Sequence, residues 1–137
     1  MAKSALGVVA GLAAWGIITS IAGLIMRGAW PEYASVADAM TFTLPMLFAR
    51  LAIGAVATLA AGLVTTVIAR RSLLATLMPG ALLLVVFIPV HIMLWDKFPV
   101  WYHLTFLGSL VPLTYAGGKI AESRPLVLAN ADPSTVV

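Results

Sequence analysis

The sequence predicts an all-α integral membrane protein: a four-helix transmembrane bundle, up-down-up-down, with both termini cytoplasmic. Three observations carry this expectation. The first is composition. Of 137 residues, 62% are hydrophobic and 9% charged, with a mean hydropathy of +1.07, whereas a soluble domain carries about 25% charged residues. The second is a set of four apolar runs. At about 1.5 Å per residue, each is long enough to cross a hydrocarbon core of about 30 Å. The third is charge placement. Lys3, Arg70, Arg71, Lys119 and Arg124 fall on one side of a four-span topology, against Arg27, Arg50 and Lys97 on the other. Cytoplasmic loops carry the Lys/Arg excess. The net charge of +3 and pI near 9.7 are therefore read as topology, and no nucleic-acid partner is expected.

The first run spans about Ala5 to Met26. Lys3 ahead of it and "ADA" (Ala37–Ala39) beyond it mimic a signal peptide. A signal h-region is only about 7–15 residues long, however, so a retained helix is expected. The connection Arg27–Arg50, "RGAWPEYASVADAMTFTLPMLFAR", is the longest. Trp30-Pro31 breaks the first helix, and Ser35 or Asp38 is a candidate N-cap for a new one. Residues 39–49 either extend the second helix or lie in the interface. That helix covers about Leu51 to Ala69, with a start near residue 40 as the alternative. The third covers about Leu73 to Trp95 and the fourth about Val100 to Gly118. The "RRS" and "DKFP" turns make each adjacent pair an antiparallel hairpin. Residues 1–120 thus form one transmembrane domain, and 121–137 a flexible cytoplasmic tail. Within that tail, the last three residues are too short a pattern to argue a docking motif.

Small residues recur every fourth position: Gly7 and Gly11, then Gly16 and Ser20, in the first helix; Gly54, Thr58, Gly62 and Thr66 in the second; Ser72, Thr76 and Gly80 in the third. Lipid supplies no hydrophobic force between helices, so such rows let backbones approach closely. They are expected to mark packing faces within the chain, with self-association as the alternative.

Arg50 lies four residues before Gly54, which turns it toward the bundle. It either snorkels at the outer interface, pairs with Asp38, Glu32 or Asp96, or meets an anionic ligand. The stretch "IPVHIMLWDKFPVWYH" places His91 and His103 at matching depth on neighbouring helices. His91 shares a face with Leu84 and Gly80. One reading is structural: Trp95, Phe98, Trp101 and Tyr102 form an aromatic belt in which both histidines rest. The other is a polar pocket of Arg50, His91, Asp96 and His103 for a lipophile, with a proton-linked role open beside it. Zinc needs at least three protein ligands and no third histidine exists. Adjacent helices about 8–10 Å apart are poor hosts for a haem ring, which would need the two histidines to come from different subunits. No metal and no cofactor are expected.

With no cysteine, thiolate chemistry and disulfides are excluded. Ser109 follows His103 on a different helical face, and no phosphate loop or H-E-x-x-H is present. An enzyme is not expected.

The segment "HIMLWDKFPVWYHL" resembles short four-span bacterial membrane proteins across the last two helices. That resemblance implies the architecture and carries no activity. The expectation is a non-enzymatic inner-membrane protein that oligomerises or serves as an accessory subunit of a larger complex. The alternative is a binding or transport module for an anionic or quinone-like lipophile at the external pocket.

Overall fold

Helix in this chain is interrupted where local chemistry opposes it. The computed structural model describes residues 1–123, and among these it contains five helices and no strand: α1 Ala2–Ala29, α2 Pro31–Ala37, α3 Leu44–Ile68, α4 Leu73–Met93 and α5 Val100–Ser123. Pro31 forces Trp30 toward extended backbone, with φ −128° and ψ 89°, which ends α1. The same proline, fixed in φ, starts α2 as its first residue. The expected caps Ser35 and Asp38 therefore do not begin a helix. The Ser35 hydroxyl donates to the Glu32 carbonyl within α2, and Asp38 follows its last residue.

α3 begins at Leu44 behind Thr43, which stands at φ −75° and ψ 166°, with Pro45 in the first turn. Of the two expectations for residues 39–49, helix extension holds from Leu44 onward; residues 41–43 are non-helical. At its other end α3 closes with a Schellman motif, the Arg71 amide donating to the Thr66 carbonyl at 3.0 Å. This turn places Arg70 and Arg71 at φ 54° and 64°, a region glycine normally fills. Ser72 then caps α4 by accepting from the Ala75 amide. α5 continues past the expected end at Gly118 to Ser123, so the first three residues of the expected tail are helical. The remainder of that tail lies outside the described residues.

Packing follows a repeated register. α3 and α5 run parallel, and their contacts keep one offset: Arg50 meets Tyr102, Gly54 meets Phe106, Gly62 meets Thr114 and Thr66 meets Gly118. α4 lies antiparallel to both, pairing Thr76 with Thr66 and with Gly118, Gly80 with Thr114, and His91 with His103. α1 is antiparallel to α3: Gly7 lies against Thr65, and the Trp15 indole donates to the Thr58 hydroxyl at 3.2 Å. The glycines serve close approach. A Cβ on Gly62 would overlap the Thr114 carbonyl, and one on Gly11 would overlap the Thr65 hydroxyl. The expected packing residues Gly7, Gly11, Gly54, Thr58, Gly62 and Gly80 are all buried. Gly16, continuing the first row, faces open space instead.

Away from the Tyr33 and Tyr102 end, much of the interior is small or polar, while the exterior is large and apolar. Ala57, Ala61, Thr58, Thr65 and Thr114 are fully buried, whereas Leu24 is 71% and Leu74 75% exposed. In water that distribution would forfeit about 1.5–3 kcal/mol for each large side chain left outside; against lipid it costs nothing. The buried threonines are satisfied by their own helices or neighbours: Thr65 donates to the Gly7 carbonyl, and Thr66 and Thr76 share a bond of 2.7 Å. α1, α3 and α4 are long and apolar enough to cross a membrane, with mean hydropathies of 2.1, 2.2 and 2.4. α5 is 24 residues long but more polar, because His103, Thr105, Ser109 and Thr114 interrupt its apolar run.

Candidate functional site

At the end of the helices opposite the Arg70–Arg71 turn, Arg50 is held by two tyrosines. Its Nη1 donates to the Tyr33 hydroxyl at 2.7 Å and its Nε to the Tyr102 hydroxyl at 3.4 Å. The guanidinium carbon stands 4.6 Å over the Phe42 ring, a cation–π contact. α2 exists in the right place to deliver Tyr33, which is 4% exposed. The expected carboxylate partners are elsewhere. Asp38 pairs with Arg27 at 3.1 Å because both stand at helix ends on the same rim. Among the described residues the other ion pair is Lys119 with Glu122, at the far end. Among the described residues Arg50 thus has hydroxyls for neighbours and no acid.

A guanidinium has five N–H donors, and two are engaged. Each tyrosine accepts from Arg50 and keeps its own O–H to give. The site is rich in donors.

His91 and His103 are brought into contact, Nδ1 to Nδ1, at 2.8 Å. The equal depth read from the sequence produces a bond because α4 and α5 pack closely here. Neither ring rests at the surface: His91 is 6% and His103 0% exposed. His103 stacks on Trp95 with centroids 4.7 Å apart, and its Nε2 lies 3.3 Å from the Trp95 carbonyl. His91 stacks on Phe106 at 4.9 Å. The expected aromatic belt divides. Trp95 and Trp101 stay partly exposed, while Phe98 and Tyr102 are buried with the histidines.

Between α1 and these groups lies a cavity of about 190 Å³. Arg50 and His91 line it, with Tyr33 and Tyr102 beside Arg50. Trp15, Phe87 and Phe106 supply its aromatic wall, and Gly54 opens its floor. His103 stands behind His91, off the cavity wall. Asp96 is exposed in the turn after α4 and takes no part. The turn carries its carboxylate outward, so the pocket read from the sequence loses its one acid. No three of His, Asp and Glu cluster among the described residues.

Comparison with known proteins finds no matching family model, curated relative or solved structure. The resemblance noted in the last two helices accordingly brings no site or activity to this chain.

Three lining residues were not singled out beforehand. Tyr33 sits in the connection whose helix was expected to start later; Pro31 was the available signal. Trp15 follows Gly11 by four residues and Phe87 precedes His91 by four, so each continues a row already marked as inward-facing; those spacings were the available signal.

Proposed function

We propose that this chain is a four-span membrane protein of a bacterial inner membrane, with both termini cytoplasmic, and that its external cavity binds a lipophile whose head presents hydrogen-bond acceptors. The observation that carries the ligand reading is Arg50: a half-buried cation on a cavity wall, solvated by two tyrosine hydroxyls and, among the described residues, by no carboxylate. A charge taken out of water needs compensation, and two neutral hydroxyls supply only part of it. A carboxylate or polarised carbonyl entering the cavity would complete it with charge-assisted bonds. The aromatic wall would accept the apolar remainder. The five-against-three placement of Lys and Arg supports the orientation, and the length of α5 supports its counting as the fourth span.

The test is thermal unfolding in non-ionic detergent, titrated with decanoate and with decyltrimethylammonium. Decanoate should raise Tm of the wild type, by about 2.7 kcal/mol of stabilisation at a hundredfold excess over Kd, and should not raise it in Arg50→Met. Equal response to both amphiphiles, or no loss in the variant, excludes the reading.

A second reading is self-association or service as an accessory subunit. It is favoured by α1, which buries only Gly7 and Gly11 and turns Gly16 to open space beside Ile17, 59% exposed. A small residue on an open helix face admits another helix. The discriminating measurement is the oligomeric state of Gly16→Leu.

A further inference from the structure

The two histidines fix each other's protons, and the result has a polarity. A carbonyl oxygen only accepts. His103 Nε2, 3.3 Å from the Trp95 carbonyl, must therefore carry its hydrogen. A second proton on His103 would place a cation in a fully buried ring with no carboxylate beside it among the described residues. The groups facing the pair are Trp95, Phe98, Tyr102, Phe106 and Phe87, none of them acidic at neutral pH. His103 is then the Nε2–H tautomer, and its Nδ1 is a lone pair. At 2.8 Å from that lone pair, His91 Nδ1 must be the donor. The His91 ring is also buried, with the Arg50 cation on the same cavity wall and no acid among its described neighbours, so it is neutral and its Nε2 is without hydrogen.

That nitrogen has no hydrogen-bond partner among the described residues. Among the described residues every buried side-chain nitrogen or oxygen is hydrogen-bonded, so an unpartnered Nε2 is an accessible one. The open face of His91 is the cavity it lines. The cavity thus has donors at Arg50 and the tyrosines, and one acceptor, His91 Nε2, in an aromatic setting. An engineered apolar cavity of about 150 Å³ holds a benzene ring. The cavity here, about 190 Å³, fits one ring with its substituents.

We infer that the site takes a hydroxylated aromatic lipophile, whose ring lies among the aromatic side chains and whose hydroxyl donates to His91 Nε2. This rests on the acceptor-binding reading of Arg50 and adds a second, opposite requirement. Trp95 acts as a positioning residue through its carbonyl, since that oxygen sets the tautomer of a ring it does not touch.

The experiment uses the full chain, labelled with ¹³C and ¹⁵N, in lipid bilayers, with solid-state NMR of the imidazole and guanidinium nitrogens. The probes are 4-octylphenol and its methyl ether, 4-octylanisole. Without probe, His103 should show hydrogen on Nε2 and His91 on Nδ1. Hydrogen on His91 Nε2 overturns the inference outright. With probe, both molecules should shift the Arg50 resonances, and only the phenol should shift His91 Nε2. The phenol should bind about tenfold tighter than the ether, the worth of one hydrogen bond. Shifts at Arg50 from both probes with His91 unmoved overturn this inference and leave the Arg50 reading standing. Silence at Arg50 from both probes removes the two together.

Discussion

His91 and His103 stand twelve residues apart in sequence and 2.8 Å apart between their Nδ1 atoms, so that the α4–α5 hairpin is closed at its turn end by one imidazole pair. The same register recurs inward as Gly80 against Thr114 and Thr76 against Gly118. The pair is a polar clasp on a seam held next to it by the Phe87–Phe106 ring contact and further along by small residues.

Coupling between the two rings follows. His91→Ala leaves His103 Nδ1 without its donor, and His103→Ala frees both His91 Nδ1 and the Trp95 carbonyl. Each should cost about 1–3 kcal/mol. The double variant should cost less than the sum, by about 0.5–3 kcal/mol, in thermal or denaturant unfolding in detergent. Strict additivity would mean that the rings do not share the bond.

The glycine contacts differ enough to be told apart. Gly62→Leu drives a side chain into the Thr114 backbone and should lose about 3 kcal/mol, the upper end of overpacking costs. A Cβ on Gly16 meets nothing within 4 Å, so Gly16→Leu should leave monomer stability within about 0.5 kcal/mol of wild type. Comparable losses at both positions would contradict the packing described.

Arg70 occupies a left-handed position at φ 54° that costs a non-glycine residue roughly 1–2 kcal/mol. Arg70→Gly should raise stability by about 1 kcal/mol, read as a higher Tm. A lower Tm would show that the arginine side chain contributes more at that helix end than its backbone loses.

Topology can be read with reporters. Fusions in the Arg70–Arg71 turn and after Ser123 should both report cytoplasm, and one after Lys97 should report the outside. A periplasmic signal after Ser123 with a cytoplasmic one at Arg70 would mean that α5 does not span.

Much of the helical layout was legible because apolar run length is a direct consequence of the solvent. The connection was less so. Pro31 reads equally as a breaker of α1 and as the first residue of a helix, and only the second role delivers Tyr33 to Arg50. The small-residue row of α3 stood out, but its partner row on α5, Tyr102, Phe106, Leu110, Thr114 and Gly118, did not. That row mixes large and small side chains, each matched to what faces it, so no single-residue-type pattern marks it. The depth of the histidines came from turn length alone. Their contact depended on how closely α4 and α5 approach, which Gly80 and Gly118 set from a distance. Asp96 shows the opposite error: nearness in sequence to His91 said nothing about the direction the turn would send it.

The most direct measurement is native mass spectrometry of the full chain released from its own membrane, comparing wild type with Arg50→Met. A small molecule bound to the wild type, and missing from a variant that keeps its secondary structure and a cooperative unfolding transition, is the expected result. A wild type that carries no small molecule, or the same adduct on both proteins, would contradict a ligand site built on Arg50.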